Sequence, residues 1–213
     1  SLARLLGIAE PAARGFLIIG ANPVARAIGK ALHIQGSRVL LTDSHWDNIA
    51  AARMDGLPTY FGNPASQHAD AHLDLTGIGQ LLALSPSGEQ NNLACARFRP
   101  DFGKANLYSL ANARELRLSE KHRGSAEHRG RSLGLPAQSY GQLAGMLARG
   151  AEVRSTTLTE AFGWADYQAL HGERAVLLLA IEPRGWVHVA SEPLPFSPAA
   201  GWTLLALIEP AAQ

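Results

Sequence analysis

The sequence between residues 15 and 36 is GFLIIGANPVARAIGKALHIQG, an apolar run followed by a helical pattern. Asn22 is a favourable N-cap, Pro23 suits the first helical position, and Gly36 is placed to end the helix. The apolar residues between them have the spacing of a helix that packs one face on a sheet; they are Val24, Ala27, Ile28, Ala31 and Leu32. This stretch therefore predicts a strand, a tight turn and a helix, the opening unit of an α/β fold.

Four further apolar runs follow at regular intervals, and a helical pattern fills each gap; the runs are 38–43, 57–61, 80–84 and 105–110. Continuous apolar strands that alternate with helices are typical of a parallel sheet covered on both faces. Ser44 with Asp47, and Ser87 with Gln90, have the spacing of a capping box at a helix start. Residues 15–110 are therefore predicted to form a Rossmann-like, doubly wound parallel sheet.

The pattern changes on both sides of this region. Residues 1–14 carry a short apolar spacing that stops at a glycine and a proline, which indicates a connector. Residues 111–135 hold more basic than acidic side chains and few aliphatic ones, which favours a solvated basic linker over an anion-binding segment. Residues 136–213 are predicted to form a small α+β module, with helices at 136–149 and 159–170 and strands at 151–158, 174–182, 185–190 and 202–208.

Composition excludes several classes of protein. Of the 213 residues, 46% are hydrophobic and 17% charged, which excludes wholesale disorder. Lys and Arg number 19 against 18 Asp and Glu, so nothing suggests a partner that is nucleic acid. The single cysteine, Cys95, excludes an internal disulfide framework and fits a reducing compartment. No apolar run approaches the ~20 residues that span a bilayer, so we expect a soluble intracellular chain without a signal peptide.

The turn after the first strand holds the first candidate binding residues. The dinucleotide fingerprint G-x-G-x-x-G corresponds to Gly20, Asn22 and Ala25. Asn22 replaces the glycine that lets a pyrophosphate approach the backbone, and Pro23 lacks the N–H that a phosphate could use. Asp43 ends the second strand, where an acid hydrogen-bonds ribose hydroxyls in this type of fold. The order of these features predicts binding of NAD(H) or another adenine nucleotide rather than NADP(H).

Further candidates follow the third and fourth strands, because ligands of such folds bind at the carboxyl ends of the strands. Gly62 and Asn63 follow the third strand and Ser85 follows the fourth, although each is also an ordinary turn residue. The whole candidate nucleotide-binding set is Gly20, Ala21, Asn22, Pro23, Val24, Ala25, Asp43, Ser44, Gly62, Asn63 and Ser85. The alternative, turns that only connect strands to helices, stays open.

The residues give no catalytic or metal-binding motif. His68 and His72 are spaced four residues apart, but without a third ligand nearby a solvated helix face is favoured. Cys95 has no basic partner beside it and is expected to be a buried packing residue. The sequence has no nucleophile elbow, P-loop or paired carboxylates. We therefore expect a protein with no catalytic residues and no metal.

Three stretches, at 20–32, 40–66 and 73–92, resemble a known family; they are GANPVARAIGKAL, LLTDSHWDNIAAARMDGLPTYFGNPAS and LDLTGIGQLLALSPSGEQNN. The family is the regulator-of-conductance domain, also called the potassium transport nucleotide-binding or TrkA-N-like domain. The sequence is most similar to the version on the cytoplasmic tail of NhaP-type sodium/proton and potassium/proton antiporters. The resemblance covers residues 1–110. The family's glycine motif, ribose acid and Gly-Asp-Ala turn correspond to Gly20, Asn22 and Ala25, to Asp43, and to Gly62, Asn63 and Pro64.

The resemblance implies a regulatory function. The chain would be the cytoplasmic nucleotide-binding region of a membrane cation/proton antiporter, at the inner face of the cell membrane, and would couple ligand binding to transport. The implied ligand is NAD(H), AMP or ATP, acting as a regulator. The implied partners are a second copy of the chain and the transmembrane portion of the same polypeptide, to which residues 1–14 would lead. Residues 111–135 would be a hinge.

Two alternative functions and one possible dimer contact stay open. A soluble NAD-dependent oxidoreductase would need a general acid or base, and the C-terminal half offers only residues outside any motif: Tyr140, Tyr167, His171 and His188. An oligomerisation module with a vestigial pocket is the third possibility. Trp164, Tyr167 and Leu170 share part of a predicted helix face, which is either a dimer contact or packing within the small module.

Overall fold

The structure is a computed structural model that describes residues 13–111 and 130–211. Its N-terminal part is a parallel sheet of six strands in the order β3-β2-β1-β4-β5-β6. The strands are β1 (Gly15–Ile19), β2 (Val39–Asp43), β3 (Thr59–Phe61), β4 (Ile78–Ala83), β5 (Leu107–Ser109) and β6 (Arg131–Ser132). The helices are α1 (Pro23–Ile34), α2 (Trp46–Met54), α3 (Gln67–His72) and α4 (Gly88–Phe102). The predicted Rossmann-like sheet is confirmed.

The C-terminal part is a four-stranded antiparallel sheet in the order β7-β10-β8-β9, with two helices. Its strands are β7 (Glu152–Thr157), β8 (Ala175–Ile181), β9 (Val187–Val189) and β10 (Thr203–Ile208). Its helices are α5 (Tyr140–Ala148) and α6 (Trp164–His171). The predicted small α+β module is confirmed. Among the described residues, no helix combines the length and the apolar character needed to cross a bilayer.

Helix α1 lies between the two sheets and joins their cores. Ile18 of β1, Ile28 of α1, Leu143 of α5 and Leu178 of β8 belong to one cluster of buried side chains. Each of these side chains is almost completely removed from solvent. The second sheet is therefore packed directly on the helix that follows the first strand, without a solvated gap between the two parts.

The expected linker at 111–135 is in part ordered sheet. Most of the predicted hinge, residues 112–129, lies outside the described residues. At its C-terminal end, Arg131–Ser132 form β6, which pairs in parallel with β5. Leu135 then exchanges backbone hydrogen bonds with Leu177 of β8, with N–O distances of 2.9 and 3.0 Å. A two-residue strand at a sheet edge has no hydrophobic pattern, so β6 could not be predicted from the sequence.

One of the two predicted helix caps differs from the structure. Helix α2 begins after His45, which makes no side-chain cap hydrogen bond, so the capping box predicted from Ser44 and Asp47 is wrong. His45 rather than Ser44 is the N-cap, so Asp47 is at the second helical position and not at the third, where a capping box needs it. At α4 the hydroxyl of Ser87 does cap the helix, since it accepts the N–H of Gln90 at 3.3 Å.

The candidate interface residues of α6 divide between core and surface. Tyr167 is buried in the core of the second sheet, and Trp164 packs against the same cluster. The two rings are stacked, with their centroids 5.8 Å apart. Leu170 is 57% exposed. Two of the three therefore pack within their own module, and the homodimer stays a prediction without them.

Candidate functional site

A cavity of about 440 Å³ opens at the carboxyl ends of the parallel strands. Its walls come from the turn after β1, the turn from β2 into α2, residues 62–65 after β3, and the turn from β4 into α4. β1 lies between β2 and β4, so the chain connections diverge at this point of the sheet. Such a switch point is where ligands bind in open α/β sheets.

The cavity brings together seven of the eleven candidate residues; they are Gly20, Asn22, Asp43, Ser44, Gly62, Asn63 and Ser85. The other four do not line it. The side chains of Ala21, Val24 and Ala25 are buried in the core, and Pro23 is exposed at the start of α1. That the seven lining residues contact a ligand stays a prediction.

Sequence reasoning missed several lining residues, above all His45, Asn48 and Gln90. Asn48 lies in the first turn of α2, which follows β2, and Gln90 lies in the first turn of α4, which follows β4. Their position in the sequence could have predicted this. A helix that follows a parallel strand begins at the carboxyl end of that strand, so a polar side chain in its first turn lies near the other strand ends. The remaining additions are Ile19, Thr42, Pro64, Ala65, Pro86, Ser87, Leu93 and Ala94.

Asn22 fills the turn after β1 with its own side chain. Its Oδ1 accepts the N–H of Ala25 at 3.0 Å, which caps α1. Its Nδ2 donates to the carbonyl oxygen of Leu84 at 2.8 Å, which ties the turn to the end of β4. Gly20 has a φ of +103°, and a Cβ at this position would lie 2.9 Å from Asn22 Nδ2. The space that a glycine would leave open in the fingerprint is therefore occupied.

Asp43 is hydrogen-bonded on both carboxylate oxygens. Oδ2 accepts the N–H of Ala21 and the side-chain amide of Asn48, both at 2.9 Å. Oδ1 accepts the N–H of His45 at 2.9 Å and lies 3.0 Å from His45 Nδ1. Burial raises the pKa of Asp43, but hydrogen bonds from Ala21, His45 and Asn48 outweigh it, and the pKa is lowered from its ordinary value of 3.8. The carboxylate is thus ionised and surrounded by the chain's own donors.

The turn after β4 is closed by a similar set of hydrogen bonds. Asn91, which is buried, accepts the N–H of Ser85 at 3.0 Å and donates to its carbonyl oxygen at 2.9 Å. The hydroxyl of Ser85 donates to Gln90 Oε1 at 2.7 Å and accepts the N–H of Ser87 at 3.1 Å. This side-chain network fixes the wall of the cavity opposite the turn after β1.

In the wall after β3, backbone N–H groups are also paired within the chain. Asn63 Oδ1 accepts the N–H of Ala65 at 2.9 Å, and Pro64 between them has no N–H. The N–H of Gly62 donates to the carbonyl oxygen of Asp43 at 2.9 Å. The resemblance implies an acid at position 63, where this chain has the uncharged Asn63.

The cavity holds few ionisable groups. Among the described residues that line it, Asp43 and His45 are ionisable, and none is Lys or Arg. The described part of the chain has no group of three His, Cys, Asp or Glu side chains that could hold a metal ion. His68 and His72 stack on α3 with their centroids 4.1 Å apart, outside the cavity walls. Burial raises the pKa of the Cys95 thiol to about 11, against a smaller opposite effect of the Gly130 N–H.

The family model of the TrkA-N domain matches residues 16–124, which include every wall of the cavity. The chain belongs to the TrkA-N domain family. TrkA-N domains, also called RCK domains, are nucleotide-binding regulatory domains of potassium transport systems. Membership confirms the resemblance at the level of the family, and the NhaP-type antiporter origin stays a prediction. No curated protein matches the sequence.

Solved structures resemble this TrkA-N domain at low identity. The NAD(P)-binding domain of an exopolyphosphatase-related protein from Archaeoglobus fulgidus is 17% identical, with a TM-score of 0.42, over 49% of this chain and 77% of that one. The TrkA-N domain of the inner membrane protein YbaL from Escherichia coli is 16% identical, with a TM-score of 0.41, over 48% and 76%. The GsuK RCK domain is 15% identical, with a TM-score of 0.42, over 98% and 46%. These similarities are too distant to bear on function.

The candidate acid–base residues of an oxidoreductase lie away from the cavity of this TrkA-N domain. Tyr140, Tyr167, His171 and His188 belong to the C-terminal part, and none of them is among the residues that line it. His188 is engaged by Glu182, with Nε2 and Oε1 2.6 Å apart. None of the four candidates is therefore placed to act on a ligand in this cavity.

Proposed function

We propose that this chain is the cytoplasmic nucleotide-binding regulatory region of a membrane cation/proton antiporter and that it is not an enzyme. The observation that carries the proposal is the path of α1. This helix starts at the cavity, with Asn22 in the cavity wall, and its apolar face is buried against the second sheet. A ligand at the strand ends would therefore lie against the N-cap of the helix on which the second module rests.

The seam between α1 and the second module is closely packed. Ala27 and Ile28 of α1 face Leu147 of α5 and Leu178 of β8 across a void of only about 10 Å³. Close-packed interiors transmit displacement because side chains have no room to absorb it. A shift of α1 on ligand binding would be passed to α5 and β8.

The N-terminal connector offers a second contact for such coupling. The Arg14 guanidinium lies 4.0 Å from the centroid of the Trp186 ring, in the turn between β8 and β9. Arg14 also donates to the carbonyl oxygen of Arg184 at 3.2 Å. In the proposed arrangement, residues 1–14 lead to the transmembrane portion of the polypeptide at the inner face of the membrane. The segment that enters β1 would then sense the position of the second sheet.

The proposed ligand is an adenine nucleoside derivative, with NAD(H), AMP and ATP as the first candidates. A regulatory ligand can shift transport only by binding one arrangement of the protein better than another. A tenfold preference corresponds to about 1.4 kcal/mol, which is enough to change activity without switching it off completely. We propose a homodimer as the assembly whose arrangement changes.

Binding is tested first on the chain itself. Isothermal titration calorimetry with adenosine, AMP, ATP and NAD⁺ should give saturable binding for at least one of them. Amide hydrogen exchange with the same ligand should slow in the cavity walls and also in α5. Failure of all four compounds to bind would refute the proposed function.

Coupling is tested on the full polypeptide reconstituted in vesicles. The proton flux that a cation gradient drives is measured with and without the compound that binds in calorimetry. Leu147→Ala, at the seam, should keep ligand binding and lose the response of flux to the ligand. Leu170→Ala is the matched control, because Leu170 is exposed on α6 and does not touch the seam. An unchanged response in Leu147→Ala would contradict the coupling through α1.

A further inference from the structure

We infer that the cavity takes an uncharged nucleoside, and that its walls disfavour a nucleotide whose phosphates would lie on the turn after β1. The inference rests on the proposed function, which supplies the adenine nucleoside class. It goes further, because three of the four walls have their polar groups arranged in the same way. In each of these three walls the chain's own side chains occupy backbone N–H groups that a phosphate could use.

In the fingerprint turn, two backbone N–H groups are already paired and a third is missing. The N–H of Ala21 donates to Asp43, and the N–H of Ala25 donates to Asn22. Pro23, between them, has no N–H. Phosphate binding at a helix N-terminus depends on N–H groups that point at the ligand. An anion that used these two N–H groups would have to displace the carboxylate of Asp43 and the amide oxygen of Asn22 from them.

The two other walls are closed in the same way. In the turn after β4, the N–H groups of Ser85, Ser87 and Gln90 donate to Asn91 Oδ1, Ser85 Oγ and Ser87 Oγ. After β3, the N–H of Ala65 donates to Asn63 Oδ1. The N-terminus of α4 also carries Glu89, an acidic residue in its first turn. In these three walls, backbone N–H groups that could hold a phosphate are therefore already paired within the chain.

The charges of the cavity point the same way. Its only acidic lining residue is the ionised Asp43, and no Lys or Arg is present among the described lining residues to neutralise a phosphate. A like charge within the cavity repels an anion, and the repulsion is strongest where water is excluded. An uncharged ligand meets neither this repulsion nor the cost of removing a phosphate from water.

Three neutral side-chain groups remain for recognition of such a ligand. The amide –NH₂ of Gln90, the amide oxygen of Asn48 and the hydroxyl of Ser44 belong to lining residues. None of the three groups has a hydrogen-bond partner within residues 13–111 and 130–211. They offer both donors and acceptors, which suits the hydroxyls of a ribose and the edge of a base.

Calorimetry on the 213-residue chain tests the inference by comparing adenosine with AMP, ATP and NAD⁺. We expect adenosine to bind at least tenfold more tightly than each of the phosphate-bearing compounds. If AMP, ATP or NAD⁺ binds tenfold more tightly than adenosine, the inference is overturned while the proposed function stands. If none of the four compounds binds, both are overturned.

A variant of Asn22 shows whether its side chain is the excluding group. Asn22→Gly restores the glycine of the fingerprint, and glycine is nearly as good an N-cap as asparagine. We expect its affinity ratio between AMP and adenosine to rise at least tenfold over that of the wild type. Should Asn22→Gly fail to fold, Asn22→Ser, which keeps a hydroxyl cap but is shorter, is measured in the same way.

The matched control is Ser139→Gly. Ser139 caps α5 by accepting the N–H of Gln142, far from the cavity, so this variant loses a helix cap without opening the turn. Its affinity ratio should equal that of the wild type. An unchanged ratio in both Asn22 variants, or an equal rise in Ser139→Gly, would overturn the exclusion of phosphate by Asn22.

Discussion

Asp43 Oδ2 accepts a hydrogen bond from the backbone N–H of Ala21 at 2.9 Å, so the end of β2 holds the turn that follows β1. The family's ribose acid corresponds to this residue. In this chain its side chain is only 10% exposed, and it also fixes His45 and Asn48. The carboxylate therefore organises the cavity whether or not a ligand is bound.

Replacing this carboxylate should destabilise the protein even without ligand. In Asp43→Asn, an –NH₂ group would face donors that now bind a carboxylate oxygen, and at least one charge-assisted hydrogen bond is lost. Such bonds contribute roughly 1.5–3 kcal/mol, so we expect the free energy of unfolding to fall by about that amount. Urea titration at pH 7 measures it.

The same variant should differ from the wild type in its response to acid. The pKa of Asp43 is lowered in the folded state, so its stabilising contribution is present above the ordinary value of 3.8. It is lost as the pH falls through the lower folded pKa, and the two proteins should then converge in stability. Asp47→Asn is the control, since Asp47 is exposed on α2 and should change stability by less than about 1 kcal/mol. A constant difference from pH 7 down to acid unfolding would contradict this role.

Asn91→Asp should weaken the turn after β4. The amide of Asn91 donates to the carbonyl oxygen of Ser85 at 2.9 Å, and the aspartate would place a second acceptor against it. A buried acceptor left without a donor costs about 1–3 kcal/mol. We expect thermal unfolding to show a loss of this size. Asn92→Asp, at the half-buried next position, makes the same chemical change and should cost clearly less.

Ile28→Ala should destabilise both sheets together. Ile28 is almost fully buried in the cluster that joins them, and removing such a side chain costs about 2–5 kcal/mol. We expect one unfolding transition, with circular dichroism and tryptophan fluorescence giving the same midpoint, at a lower urea concentration than in the wild type. Ile34→Ala, on the same helix but 71% exposed, should leave the midpoint nearly unchanged. Separate midpoints for the two probes would contradict the shared core.

Tyr167→Phe should stabilise the protein. The side chain of Tyr167 is 3% exposed, and its hydroxyl has no hydrogen-bond partner within the described residues. This burial raises the pKa of the phenol to about 12. Removing an unpaired buried hydroxyl should raise the free energy of unfolding by up to about 1–3 kcal/mol. Tyr140→Phe, at a half-buried position, should change it by less than about 0.5 kcal/mol, and a loss of stability in Tyr167→Phe would show that the hydroxyl is paired.

Local patterns in the sequence were sufficient to predict most of the fold. The strands and α1 were found because their apolar spacing and caps lie within a few residues of each other. β6 was missed because its pairing with β5 depends on backbone contacts between segments far apart in the chain. The capping box at Ser44 and Asp47 was wrong because the N-cap of α2 is His45, one residue further along the chain.

The candidate site was predicted only as a position in the fold. The strand-end rule located Gly20, Asp43 and Ser85 at one cavity, as the structure has them. It could not predict that Asn22 reaches Leu84, 62 residues further along, because that bond depends on how β1 and β4 pair. Whether the Asn22 side chain fills the turn depends on contacts between distant segments, and a motif within one segment cannot predict such contacts.

The paired N–H groups in the three walls have a consequence for the speed of binding. A cavity whose turns are already held by Asn22, Asp43, Asn63 and Asn91 needs no loop to become ordered when a ligand arrives. Little conformational entropy is then lost on association, which is what pre-organisation means. The association rate would be set by diffusional encounter, and compounds of different affinity would differ chiefly in their dissociation rates.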